Sequence, residues 1–166
     1  SATTLHDVKR QTADARADAC AALVPDDGPC VLWCDTDYEA DAIRDFMPDI
    51  REIRGSHTPD QKEETLRAFA DGTVRVLLTK PSLTGYGLNW QHCARTAFVG
   101  RSFSYEAWYQ AVRRFWRFGQ RRQVEVHLIV AEGEDAIARV IDRKSKDHIA
   151  MKAAMRSSMM RSNGKE

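Results

Sequence analysis

The sequence predicts an α/β fold of three layers, in which helices cover both faces of a mainly parallel β-sheet. Short continuous apolar runs such as Cys30–Cys34 are typical of strands buried on both faces. Segments with helical periodicity separate these runs, and the alternation favours parallel strands joined by crossover helices. The chain has 166 residues, of which 43% are hydrophobic and 30% charged, and this is the size of one globular domain.

The predicted elements alternate along the chain as such a sheet requires. We expect strands at 30–34, 50–53, 74–78, 96–99 and 124–130, with helices at 5–23, 36–46, 59–70, 105–117 and 135–159. Thr58 predicts a helix start, because it can cap, Pro59 suits the first helical position and Gln61 completes a capping box. The core-facing positions of that helix are predicted to be Leu66, Phe69 and Ala70.

The two ends of the chain are predicted to be helical parts of a single domain that spans residues 1–166. Residues 1–27 form an N-terminal helix and linker, with a cap at Thr4 and Asp7. The apolar face of that helix consists of Leu5, Val8, Ala15, Ala19 and Leu23. Residues 135–166 form a long helix and a frayed tail. We expect its apolar stripe to pack on this domain, with docking to a partner lobe as the alternative; the stripe consists of Ile137, Val140, Ile141, Ile149, Met155 and Met159.

Composition indicates a cytoplasmic protein without a metal centre. The chain has no apolar run long enough for a membrane helix and no secretory signal pattern. Its four cysteines and five histidines do not form ligand pairs of the zinc-ribbon type. Asp35 and Asp37 have two interpretations, a paired-carboxylate site or capping at a strand-to-helix junction, and we favour capping.

A block of arginines is the strongest chemical signal in a chain whose net charge is only +1. No acidic residue occurs between Ala107 and Val124. At helical spacing, one face of this segment carries Gln110, Arg113, Arg114 and Arg117, and the opposite face carries Trp108, Val112 and Phe115. Arginines held in a row suit phosphate oxygens. Spacing alone leaves two interpretations open, a phosphate site or a solvated basic face.

The segment Gln110–Gln120 reads Q-A-x-x-R-x-x-R-x-G-Q, which resembles motif VI of SWI/SNF-type superfamily 2 helicases. The resemblance implies the C-terminal RecA-like lobe of a DNA helicase or translocase. Its arginines, here Arg114 and Arg117, would reach ATP held with Mg²⁺ mainly by an N-terminal RecA-like lobe, and Gln110 would orient them. Arg113, Arg121 and Arg122 lie outside the motif positions and are interpreted as DNA-facing or solvated. The compact spacing favours a bacterial or phage-encoded motor.

A glycine loop between Thr79 and Trp90 resembles motif V of the same family. The core of this motif reads Gly85-x-Gly87-x-Asn89 and follows a predicted strand, where parallel sheets bind ligands. The resemblance implies that Gly85, Gly87 and Asn89 shape the nucleotide cleft, and that Lys80, Ser82 and Thr84 face DNA. Lys80, Pro81 and Thr84 depart from the serine, threonine and double glycine that are common in the family.

The junction before the Thr58-capped helix adds three predicted DNA contacts, Gly55, His57 and Thr58. Free N–H groups and the helix dipole make a helix start a possible phosphate site. Similar junctions contact the DNA backbone in the family that the chain resembles. For His57 a plain capping box is an equally good interpretation.

The sequence also lacks two features that ATP hydrolysis needs. No G-x-x-x-x-G-K-[ST] loop and no acidic pair for Mg²⁺ and water are present, so we expect the isolated chain not to turn over ATP. Ser1 in the place of Met fits a chain cut from something longer. One interpretation is half of a DNA-dependent ATPase, and the alternative is a free-standing nucleic-acid-binding module. A third interpretation, a small-molecule enzyme, has little support, because the sequence shows no dinucleotide-binding fingerprint and no nucleophile–base pair.

Overall fold

A computed structural model describes residues 2–84, 88–100, 103–132, 143, 146–147 and 149–157. The helices are α1 (Ala2–Gln11), α2 (Ala13–Leu23), α3 (Asp37–Phe46), α4 (Pro59–Ala70) and α5 (Tyr105–Val112). The strands are β1 (Cys30–Trp33), β2 (Arg51–Glu52), β3 (Val76–Thr79), β4 (Arg95–Val99) and β5 (Glu125–Ile129). They form one sheet in the order β2-β3-β1-β4-β5, and each neighbouring pair is parallel. The predicted α/β fold is confirmed.

The central strand β1 is buried on both faces, as its apolar run predicts. Cys30 and Leu32 pack into a core beneath α2 and α3, whereas Val31 and Trp33 pack into a second core beneath α4 and α5. The second core is rich in aromatic rings, and the Trp33 ring lies 6.0 Å from those of both Trp90 and Phe98. The sheet is therefore the middle layer of three.

The N-terminal helix differs from its prediction. It is interrupted at Thr12, whose hydroxyl donates to the Val8 carbonyl at 2.7 Å, and it begins at Ala2, so Thr4 does not cap it. Ala15 and Ala19 are exposed, while the buried face carries Ala13, Arg16, Ala17 and Cys20. Small apolar residues occur all round this helix, so their periodicity could not identify its buried side. In the structure the buried side is the one that carries Arg16.

Arg16 is buried at 2% exposure and ties the N-terminal helices to the sheet. Its Nη1 lies 2.7 Å from Glu39 Oε1 and donates to the Val99 carbonyl at 3.2 Å. The other oxygen of Glu39 accepts the N–H groups of Asp35 and Thr36 at 2.9 and 3.1 Å. This pair therefore fixes the end of β1, the end of β4 and the start of α3 together.

Two further predictions are corrected by exposure. Ala70 is exposed, whereas Phe69 is fully buried and Leu66 is partly so. In the C-terminal region residues 149–157 are helical, but Ile149 and Met155 are 57% and 53% exposed, so they do not pack on this domain. The other members of that stripe, Ile137, Val140, Ile141 and Met159, lie outside the described residues.

The four cysteines are free and buried. Burial raises the pKa of Cys20 and of Cys30 to about 12, which keeps both thiols protonated at neutral pH. Within the described part of the chain, no group of three or more His, Cys, Asp or Glu side chains could hold a metal ion. None of the helices described there is long and apolar enough to cross a membrane.

The Arg16–Glu39 pair predicts an unequal response to two neutralising substitutions. Glu39→Gln leaves the buried Arg16 guanidinium without its carboxylate, so we expect the free energy of unfolding to fall by about 3–5 kcal/mol. The control is Glu63→Gln, which breaks the exposed i,i+4 pair with Arg67 and should cost about 1 kcal/mol or less. Urea denaturation of both variants measures the difference, and equal losses would show that the buried pair has no special structural role.

Candidate functional site

The carboxyl ends of β2 and β3 bring the predicted DNA-facing residues to one edge of the sheet, beside the end of β1. The segments after β1, β2 and β3 all emerge there, because these strands are parallel neighbours. The predicted residues at this edge are Gly55, His57, Thr58, Lys80, Ser82 and Thr84. A single linear ligand laid along this edge would meet all three segments.

Lys80, after β3, is engaged in an ion pair across the edge. Its Nζ lies 2.7 Å from Asp37 Oδ1, at the start of α3, and this hydrogen bond holds the pKa of the Asp37 carboxyl below its usual range. Asp35 pairs in turn with Lys9 at 2.7 Å. Thr36, between the two carboxylates, supplies the capping oxygen of α3. Both aspartates are therefore paired with lysines, and capping belongs to Thr36 rather than to either aspartate.

The other two residues predicted beside Lys80 differ in accessibility. Ser82 is exposed, whereas Thr84 is buried at 4% exposure and its hydroxyl donates to the Pro81 carbonyl at 3.3 Å. Among the described residues of this loop, Lys80 and Ser82 therefore present polar side chains at the surface.

The junction before α4 is stabilised by its own polar side chains. Thr58 and Gln61 form the predicted capping box, with each side chain accepting the other's N–H at 3.2 and 2.9 Å. His57 Nδ1 accepts the Arg54 N–H at 3.2 Å, so the ring holds the turn. Gly55 is exposed, and its carbonyl accepts from Lys62 Nζ at 3.3 Å.

The helix predicted to carry the arginines ends earlier than predicted. Helix α5 ends at Val112, and residues 113–119 form successive turns. The cause is tertiary: the Arg114 carbonyl accepts the N–H of Trp90 at 2.8 Å, a partner that lies outside the helix. The predicted common face therefore does not extend to Arg117.

The two arginines predicted to be catalytic have different environments. Arg114 is buried at 6% exposure, its Nη2 donates to the Thr84 carbonyl at 2.9 Å, and its guanidinium lies 5.7 Å from the centre of the Trp90 ring. Arg117 is exposed and donates from Nε to the Arg113 carbonyl at 3.1 Å. Gln110 is partly buried and approaches Glu106 at 3.4 Å. Arg117 thus offers its guanidinium outward, whereas Arg114 holds a loop.

The nucleotide-facing residues predicted from the glycine loop are only partly described. Gly85 and Gly87 lie outside the described residues, and Asn89 is exposed. Trp90, directly after it, is buried at 1% exposure and packs against Phe69 and Phe115, with ring centres 5.2 and 5.7 Å away. Trp90 is thus a structural anchor for the loop, a role that reasoning from the sequence missed.

The last two residues of the motif close the turn. Gly119 has φ +95°, a backbone conformation that residues with a side chain rarely adopt, and a Cβ there would lie 3.3 Å from Gln91 Nε2, so the turn favours glycine. The side-chain Nε2 of Gln120 donates to the carbonyls of Cys93 and Phe115 at 3.0 and 3.1 Å. Both residues were identified in the motif, but their part in shaping the turn was not.

The Arg114 contacts predict a stability difference between neighbouring arginines. Arg114→Met keeps the aliphatic stem but removes the charged donor to Thr84, so the free energy of unfolding should fall by about 1.5–3 kcal/mol. Arg113→Met is the matched control, since Arg113 is exposed over Tyr109 and its loss should cost less than about 0.5 kcal/mol. Equal urea midpoints for the two variants would contradict the structural role of Arg114.

Comparison with known proteins gives matching results for sequence and fold. Residues 16–119 match the family described as helicase conserved C-terminal domain. Over 98 residues the chain is 32% identical to the TATA-binding protein-associated factor BTAF1 of Arabidopsis thaliana and 31% identical to mot1 of Schizosaccharomyces pombe. The match covers 57% of this chain and 5% of each relative.

Solved structures share the fold at low sequence identity. The C-terminal part of the Fun30 ATPase domain has a TM-score of 0.62 at 18% identity, covering 77% of this chain and 44% of that one. A DEAD box protein from Methanococcus jannaschii has a TM-score of 0.65 at 19% identity, covering 79% and 37%. The chain therefore belongs to the helicase conserved C-terminal domain family of superfamily 2 helicase-like ATPases and has their RecA-like fold.

Proposed function

We propose that this chain is the C-terminal lobe of an ATP-dependent DNA helicase or translocase of the SWI/SNF type. Helicase C-terminal domains bind nucleic acid and pair with an N-terminal lobe. In the proposed motor, the N-terminal lobe of the same polypeptide holds most of the ATP and Mg²⁺. This lobe supplies an arginine to the γ-phosphate and one side of the DNA track. The motor is expected to be cytoplasmic and encoded by a bacterium or a phage.

The single observation that carries the proposal is the exposed Arg117 on a turn fixed by tertiary contacts. Its guanidinium is exposed, and the sequence has no acidic residue between Ala107 and Val124. A permanently charged, planar group of this kind can stabilise charge that develops on a transferring phosphoryl group. Gly119 and Gln120 close the turn behind it, so the position of Arg117 is set before a ligand arrives.

Arg114 supports the proposal in a second way. It joins the loop proposed to face DNA, through the Thr84 carbonyl, to the segment proposed to face ATP. A displacement of the loop by DNA would therefore be transmitted to the arginine segment. In this proposal Gly85, Gly87 and Asn89 contact the nucleotide at the far end of the same loop, and Gln110 orients the arginines.

The proposed DNA track runs along the carboxyl edge of the sheet. Ser82, Gly55 and the start of α4 at Thr58 are exposed there and offer polar contacts to a phosphate backbone. Lys80 adds a positive charge, which it shares with Asp37. His57 Nδ1 already accepts the Arg54 N–H and so supports the turn. The proposed contact of His57 with DNA is therefore through its backbone or through its other ring nitrogen, Nε2.

The alternative is a free-standing nucleic-acid-binding module. It would use the same carboxyl edge but would need no arginine directed at a nucleotide. The ATPase activity of a complete motor separates the two possibilities.

Arg117→Ala tests the arginine finger in the complete two-lobe motor. We expect ATP turnover to fall by about 10³-fold, because the charge opposite the γ-phosphate is lost, while DNA affinity changes little. Arg121→Ala is the matched control, since Arg121 is exposed in the same segment but outside the motif. Steady-state ATPase assays and DNA titrations measure both, and wild-type turnover in Arg117→Ala would reject the assignment.

Asp37→Asn tests the proposed DNA contact of Lys80. Removing the carboxylate frees the Lys80 ammonium, so the affinity for duplex DNA should rise by roughly 2–5-fold and the salt dependence should steepen. Asp49→Asn is the charge-matched control, because Asp49 precedes β2 at the opposite edge of the sheet. Fluorescence anisotropy with labelled DNA measures the affinities. A gain as large in Asp49→Asn, or one that persists in Asp37→Asn with Lys80→Ala, would show that only net charge matters.

A further inference from the structure

Two large aromatic side chains flank Arg117 and are exposed to solvent. Trp116 is 70% exposed and Phe118 is 102% exposed, while Phe115 beside them is fully buried. Other large aromatic residues of this fold, such as Trp33 and Trp90, are enclosed in the core. Aromatic rings bury more apolar area than other side chains, so leaving two of them in water on one short turn is unfavourable unless a partner covers them.

A groove next to Trp116 extends the apolar surface. It is a cavity of about 320 Å³ between the end of α5 and the start of β5, lined by Val112, Trp116, Arg122, Gln123, Val124 and Val126. Three of these residues are valines, and an aliphatic side chain from a partner would fit among them. The turn therefore combines two projecting rings, a receiving groove and an exposed cation.

The position of Arg117 decides what covers these rings. For its guanidinium to reach a phosphate held by the N-terminal lobe, the surface within one arginine side chain's length must lie against that lobe. Trp116 and Phe118 are its immediate neighbours on a turn closed by Gly119 and Gln120, so they are carried into the same contact.

We propose that Trp116 and Phe118 are the apolar anchor of the contact between the two lobes, with the groove beside Trp116 receiving an aliphatic side chain of the N-terminal lobe. This inference rests on the proposed function, because it takes Arg117 to be directed at ATP on that lobe. In the open motor the rings are in water, and closure over ATP buries them. Their burial then stabilises the closed, ATP-bound state.

The geometry favours the N-terminal lobe over nucleic acid as the occupant. The proposed DNA contacts lie after β2 and β3, at the carboxyl edge of the sheet. Helix α5 starts at that edge after β4 and runs back, so that the chain after Trp116 enters β5 at the amino edge, where Glu125 pairs with Arg95. The rings therefore lie away from the strand ends at which the DNA track is proposed.

The test uses the complete two-lobe motor and the nucleotide analogue ADP–beryllium fluoride. Trp33 and Trp90 are buried and Trp108 is only partly exposed, whereas Trp116 is 70% exposed, so in this lobe acrylamide quenches Trp116 emission preferentially. We expect the analogue to protect Trp116 from acrylamide. In the double variant Trp116→Ala, Phe118→Ala, closure measured by small-angle scattering should need at least about tenfold more analogue. Phe46→Ala is the matched control, since Phe46 is 46% exposed on α3 in the opposite helical layer.

Arg117→Ala in the same motor separates this inference from the proposed function. If Arg117→Ala loses turnover while the double variant closes like the wild type, the anchor is wrong and the arginine finger stands. If Arg117→Ala keeps its turnover, the proposed function itself fails. Urea midpoints within error of the wild type establish that the double variant is folded, as expected for two exposed residues.

Two other occupants would each overturn the inference. The first is nucleic acid, indicated if the double variant of this chain binds a labelled oligonucleotide more weakly while closure of the motor is unchanged. The second is another copy of the chain, indicated if sedimentation shows a dimer that the double variant abolishes.

Discussion

The structure depends most on the contacts that Arg114 makes with the loop between β3 and β4. Its carbonyl accepts the N–H of Trp90, and its guanidinium donates to the carbonyl of Thr84 and lies over the Trp90 ring. A backbone bond and a side-chain bond from one residue thus hold Thr84 and Trp90, two described residues of this loop. They also end helix α5 at Val112 and turn Arg117 outward. One buried arginine therefore contacts both segments on which the proposed activity rests.

Buried charge serves the fold in a second place. Arg16, at 2% exposure, and Glu39, at 1%, join α2 to α3 and to the ends of β1 and β4. A buried ion pair gains little over an apolar pair of equal volume, but separating its partners is costly, so arrangements that keep Arg16 against Glu39 are favoured. This pair therefore sets which side of the alanine-rich α2 faces the sheet. It also positions Asp35 and Thr36, which precede α3 at the edge where the DNA track is proposed.

The comparisons place the chain among helicase C-terminal domains and limit what is carried over from them. The relatives are eukaryotic proteins, and the matching segment is 5% of the length of each. What those long proteins bind is therefore not assigned to this chain. The bacterial or phage source expected from the compact spacing stays a prediction. The proposed motor role depends instead on residues of this chain, above all the exposed Arg117 in a stretch of sequence, Ala107 to Val124, that has no acidic residue.

The sequence by itself determined the fold class, the strands and the capped start of α4. Buried parallel strands need continuous apolar runs, as in β1, and the Thr58–Gln61 capping box is a contact between residues three apart. These signals are local, so the sequence predicts them directly. The motif at Gln110–Gln120 also identified the arginines, although their spacing predicted one continuous face.

Only the tertiary structure decided which charged and apolar side chains are exposed and which are buried or paired. Arg114 and Arg117 are equivalent in the motif, yet a carbonyl 30 residues away makes one of them buried and structural. Lys80 is drawn to Asp37, which is 43 residues distant, and the apolar positions Ile149 and Met155 remain exposed. Helical periodicity describes one segment at a time, whereas burial and pairing depend on what the rest of the chain brings next to it.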